Sequence, residues 1–156
     1  MNHQDTPQKG PAEHLRFWAY LRMLEQVTDA DEADIVSEVL TDSDQNVGQS
    51  AVLRHLDRRA DELHPQPAYE PWAEMMTGVT IRYPFLIQHL REWDLFRAVT
   101  LGQPWNPDAL LESSNWLQLK TAGASAAAAL EILVDSGRTK RIRNTAKTNI
   151  QHHGSP

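Results

Sequence analysis

A chain of 156 residues without cysteine is long enough to bury roughly two-thirds of the surface its unfolded form exposes, and it is excluded from disulfide, thiolate and cysteine-held zinc chemistry. Its net charge of −6 is unevenly placed: residues 1–112 carry nine Lys/Arg against nineteen Asp/Glu, and residues 113–156 carry six against two. Such asymmetry bears on partners and encounter rates rather than on fold. No apolar run approaches the roughly 20 residues of a membrane helix, and the polar start Met1-Asn2-His3-Gln4-Asp5 lacks a signal pattern, so a cytoplasmic protein with no membrane partner is expected. Among the five Trp, Trp18, Trp93, Trp105 and Trp116 are the expected core anchors, with room for one at a binding surface.

In chain order, residues 1–11 (Pro7, Gly10 and Pro11 among polar residues) read as a loose leader, residues 12–150 as one compact helical domain and residues 151–156 as a frayed tail. Leu15, Trp18, Leu21, Leu24 and Val27 predict an amphipathic helix to about Thr28. Asp29 caps a second helix, with Glu32 in capping-box position and Ile35, Val36, Val39 and Leu40 as its buried stripe. Ser43 or Asp44 opens a third, lined by Val52, Leu56, Ala60 and Leu63 and broken at His64-Pro65. Pro71 begins a short helix with Trp72, Met75 and Met76. Val79–Tyr83 alternates but has no second strand to pair with and reads as a loop. Pro84 starts a helix that Gly102 stops, and Asn106-Pro107 caps the next. The last third predicts Trp116–Ala122, then Ser125 capping Ala126–Asp135 up to Gly137, then Thr139 capping a terminal helix with Ile142, Ala146 and Ile150 spaced four apart. The expected fold class is all-α, a single domain of eight or nine short antiparallel helices joined by loops of two to six residues.

Two stretches echo each other. Glu38-Val39-Leu40-Thr41-Asp42-Ser43 and Glu131-Ile132-Leu133-Val134-Asp135-Ser136 each end an apolar run before a new helix, the second turn being two residues longer. This pattern resembles HEAT-type α-helical repeats, over about residues 29–64 and 116–150. The resemblance implies stacked helix pairs that act as a scaffold and present a binding surface. Leu117–Ser125 also looks like a helix-turn-helix, but the following Ala126-Ala127-Ala128-Ala129 offers nothing to a base edge, which argues against sequence-specific reading.

The candidate binding residues are Arg138, Lys140, Arg141, Arg143 and Lys147, in a stretch without acids. They suit a protein partner or, as the alternative, the phosphates of a nucleic acid, where attraction is salt-dependent and indifferent to sequence. An opposing acidic stretch, Glu25 to Asp44, suits a basic partner or the basic helix of a second copy. Asp57, Asp61 and His64 share a helix face, but Arg58 and Arg59 compete for the carboxylates, so no metal is expected. No phosphate-cradling glycine loop or nucleophile elbow occurs, and no catalytic residue or cofactor is assigned. The sequence therefore reads as a non-enzymatic helical adaptor or regulator.

Overall fold

Capping side chains set four of the helix starts. In the computed structural model, which describes residues 11–153, Asp44 accepts from the amides of Asn46 and Val47. Asn106 accepts from the Asp108 amide, Ser114 from Leu117 and Thr139 from Ile142. Each satisfies an amide with no partner inside its own helix. Among the described residues nine helices result: α1 (Pro11–Glu25), α2 (Glu32–Val39), α3 (Gln45–Leu63), α4 (Tyr69–Val79), α5 (Pro84–Leu101), α6 (Pro107–Glu112), α7 (Asn115–Ala122), α8 (Ala127–Ser136) and α9 (Lys140–His153). None of these residues is in a strand, and the 80–83 segment is a turn closed by the Tyr83 amide on the Thr80 carbonyl. Gly102, at φ +70°, ends α5 in the left-handed conformation that glycine adopts without cost. The expected leader, apart from Pro11, lies outside the described residues, as does Gly154-Ser155-Pro156; Gln151 and His152 extend α9.

Three starts differ from expectation. The first-turn box of α2 forms between Thr28 and Asp31, not Asp29 and Glu32: the Thr28 amide donates to Asp31 Oδ1 at 2.7 Å and the Asp31 amide to Thr28 Oγ1 at 3.3 Å. Glu32 is thereby released to turn inward. The helix α4 begins two residues ahead of Pro71, and α8 begins after Ala126 with no side-chain cap from Ser125.

The chain divides into two compact units, Met1–Ile87 and Gln88–Pro156. In the first, α1 packs on α2 and α3, and α2 on α3 and α4, burying Val36, Val39, Val52, Leu56, Ala60 and Met76 completely. In the second, α8 packs on α9, and α7 on both, around Leu110, Leu130, Leu133, Ile142 and Ala146.

The expected α1 stripe is corrected. Leu24 is buried, but Leu15 is 67% and Trp18 54% exposed, while Phe17 and Tyr20 are half-buried. The cause is polar. Arg16 donates to both oxygens of Asp42 at 3.0 and 3.1 Å, and the Tyr20 hydroxyl donates to Oδ2. These bonds fix the rotation of α1 and turn Leu15 and Trp18 outward. The Arg16 guanidinium and then the Tyr20 hydroxyl hold the Asp42 carboxyl well below the usual carboxylate range.

Of the other expected anchors, Trp93 is 1% exposed, whereas Trp105 and Trp116 are half-buried; Trp72, outside that set, is 5% exposed. The two echoed aspartates have different surroundings: Asp42 also accepts from the Asp44 amide in the α2–α3 turn, while Asp135 is exposed in the last turn of α8.

Candidate binding surface on helix α9

The α8–α9 turn is built by close packing. A Cβ on Gly137 would lie 2.7 Å from both Ile142 Cγ2 and the Leu133 carbonyl oxygen, so only glycine lets the two helices approach this closely. Ile142 and Ala146 then face inward, completely buried. Asn149 donates to the carbonyls of Ala122 and Ala124 at 2.9 and 2.6 Å and ties α9 to the end of α7.

The five predicted binding residues separate into two groups. Arg138 donates to Asn115 Oδ1 at 2.7 Å and to the Leu111 carbonyl at 3.0 Å. Arg143 donates to the Gly137 carbonyl at 2.8 Å. Both hold the hairpin and its neighbours. Lys140, Arg141 and Lys147 are exposed; Arg138 is exposed as well, though bonded to Asn115 and Leu111, and Arg143 is half-buried. At 100° per residue, Lys140, Asn144, Lys147 and Gln151 fall within one narrow outward stripe, with Arg141 and Thr148 beside it. The helix contains no carboxylate.

Sequence reading missed the buried node that positions this stretch. Gln118, 0% exposed, donates to the carbonyls of Leu110 and Leu111, both at 3.1 Å, and accepts from the Arg138 amide at 2.9 Å. One amide side chain thus joins α6, α7 and the start of the α9 segment. A lone Gln among apolar residues at helical spacing was the only signal.

The first unit contains a second missed node, and it has the residue types of an acid–base pair. Glu32 Oε2 lies 2.7 Å from His55 Nε2 and 2.9 Å from Trp72 Nε1, and Arg59 donates to both its oxygens at 3.0 Å. Arg58, which can only donate, reaches His55 Nδ1 at 3.0 Å. His55 Nδ1 is therefore an acceptor, and Nε2 carries the proton given to Glu32. Burial alone would push the Glu32 carboxyl up, but hydrogen bonds from His55, Arg59 and Trp72 outweigh it and lower it from 4.5 to about 2. Both side chains are 0% exposed. With every nitrogen and oxygen engaged, the group acts as a clamp between α2, α3 and α4.

On the face shared by Asp57, Asp61 and His64, His64 Nδ1 lies 3.1 Å from the Asp61 carbonyl oxygen. Among the described residues no three His, Asp or Glu groups converge as metal ligands, and no helix is long and apolar enough to cross a membrane. Comparison with protein-family models, with curated proteins and with solved structures returns no match.

Proposed function

We propose that this chain is a non-enzymatic cytoplasmic adaptor or regulatory protein that docks an acidic protein surface through the outward stripe of α9. The observation that carries this reading is the separation of roles within the basic segment. Arg138 and Arg143 are engaged in the fold, and Lys140, Arg141 and Lys147 remain exposed on a helix without acids. Charge of this kind supplies orientation and association rate more than raw affinity. The consecutive pairs α2–α3 and α8–α9 accord with the scaffold role that the HEAT-type resemblance implies.

A protein partner is favoured over a nucleic acid by magnitude. Tight phosphate binding rests on about 6–10 cationic contacts, and this helix exposes three. The C-terminal unit, with eight Lys/Arg against six Asp/Glu, has only a small positive excess to attract a polyanion, and the N-terminal unit, with seven against fifteen, repels one.

Fluorescence anisotropy of the whole chain with a labelled helical peptide bearing Glu at i, i+4 and i+7 tests the reading. Binding should weaken steeply between about 50 and 300 mM salt and fall at least about tenfold in Lys140→Glu/Lys147→Glu. A duplex of about 20 base pairs should show no binding at physiological salt. Binding of the duplex without the peptide, or of neither, overturns the reading.

A further inference from the structure

The exposed aromatic face of α1 opens onto a groove that the α9 reading does not use. It is lined by Trp18, Leu21, Leu24, Glu25, Arg54, His55 and Arg58 and encloses about 250 Å³. That is below the ~300 Å³ at which small-molecule pockets begin and suits one bulky side chain. Leu15, at 67% exposure, lies one turn before Trp18, and the exposed Arg22 one turn after.

The walls are held in place before anything binds. Arg58 is fixed across the end of α1 by two acceptors, the Leu24 carbonyl at 3.1 Å and His55 Nδ1 at 3.0 Å, yet its side chain stays 40% exposed. Arg54 sits over the Phe17 ring, its guanidinium carbon 5.8 Å from the centroid. Phe17 in turn braces Trp18 edge-on at 5.5 Å. Trp and Arg are the residues most enriched where binding energy concentrates, and side chains ordered beforehand lose little entropy on association.

Charge selects the occupant. The N-terminal unit as a whole is strongly acidic, but the ionised groups lining this groove are Arg54 and Arg58 against Glu25, with Arg22 on the same side of α1. Glu62 faces Arg58 from the next turn of α3 at 3.8 Å, outside the lining, and leaves Arg54 as the principal cation for an incoming carboxylate. We infer that the α1–α3 groove docks a segment of a partner protein that inserts one bulky apolar side chain beside Trp18 and presents a carboxylate about one helical turn away to Arg54 and Arg58. The chain would then hold one partner on each unit, which is the property of an adaptor; the groove's occupant is independent of what α9 binds.

Panning a random peptide library against the immobilised whole chain tests the assignment. Enriched peptides should pair Trp, Phe or Leu with Asp or Glu at i+3 or i+4. A synthetic peptide of the enriched sequence should lose at least about tenfold in affinity with Trp18→Ala and with Arg54→Glu. The same peptide should bind Lys140→Glu/Lys147→Glu unchanged, which separates failure of this proposal from failure of the α9 reading. Circular dichroism melts of Trp18→Ala and Arg54→Glu matching the wild type confirm that the losses are local, and Trp18→Phe should retain most of the affinity. The inference is overturned by an absence of enrichment, by enrichment of basic peptides, or by affinity indifferent to Trp18→Ala. Concentration-dependent dimerisation abolished by Trp18→Ala overturns it as well, and assigns the groove to a second copy.

Discussion

In each unit a completely buried polar side chain ties three segments together, a carboxylate in the first and an amide in the second. Glu32 joins α2, α3 and α4 through donors from His55, Arg59 and Trp72. Gln118 joins α6, α7 and the α9 segment through two backbone carbonyls and one backbone amide. The mechanical role is similar, but the electrostatics differ. A buried charge is costly unless its partners stay in place, so the first unit depends on Glu32 and Arg59 keeping their charges and on His55 and Trp72 keeping their hydrogen bonds to the carboxylate. The second depends on a neutral group whose partners are main chain and cannot titrate. The comparison teaches that the acidic unit commits a completely buried charge at its centre, while the central node of the C-terminal unit is neutral. Its charged contacts, Glu92 on Ser114 and the Arg138 and Arg143 guanidinium groups on Asn115, Leu111 and Gly137, lie around that node, and Lys140, Arg141 and Lys147 stay outside.

The largest test of this contrast is Glu32→Ala. It leaves the His55 and Trp72 N–H groups without an acceptor and Arg59 with only the exposed Asp29 and Glu62 carboxylates, and should remove about 3–5 kcal/mol from the first unit, read by amide hydrogen exchange with protection in residues 88–153 little changed. Next is acid. The folded Glu32 carboxyl is lowered to about 2 from 4.5, so its contribution is complete above about pH 5 and is lost as pH falls from 4.5 towards 2. The loss is on the order of 3 kcal/mol, and Asp42, shifted in the same direction, adds to it. Hydrogen exchange at successive pH values should show the first unit opening earlier in this window than the second. Gln118→Ala should cost about 1–3 kcal/mol, chiefly by leaving the Arg138 amide unsatisfied, since the Leu110 and Leu111 carbonyls keep donors from Ser113 and the Arg138 guanidinium, with no pH dependence between 2 and 5 beyond that of the parent. The smallest effect belongs to Lys140→Glu/Lys147→Glu, whose thermal unfolding should shift by no more than about 0.5 kcal/mol; a larger loss would show that these lysines hold the fold rather than a partner.

Much of the fold was legible because it rests on local rules. Asp44, Asn106 and Thr139 cap where such residues cap, and His64-Pro65 and Gly102 stop helices as their backbone chemistry requires. The rotation of α1 was not legible, because Leu15 and Trp18 satisfy helical spacing equally well on either side. A long-range bond from Arg16 and Tyr20 to Asp42, 26 and 22 residues away, decides it. Glu32 was read as a cap for a related reason: an acid near a helix start suits the dipole locally, and only the three donors brought by α3 and α4 make burial favourable. Within the candidate surface, sequence gave the five cations of residues 138–147 as one group. Their division into two that hold the fold and three that face outward depends on acceptors supplied by Leu111, Asn115 and Gly137, which periodicity does not reveal.

A charge swap across the α9 stripe tests the central claim most directly. The whole chain carrying Lys140→Glu/Lys147→Glu should lose the Glu-bearing helical peptide and bind the matching Lys-bearing peptide, with the affinity and salt slope exchanged between the two pairings. If the reversed chain still prefers the acidic peptide, or if neither pairing depends on residues 140 and 147, then α9 is not the docking surface and the adaptor reading built on it is wrong.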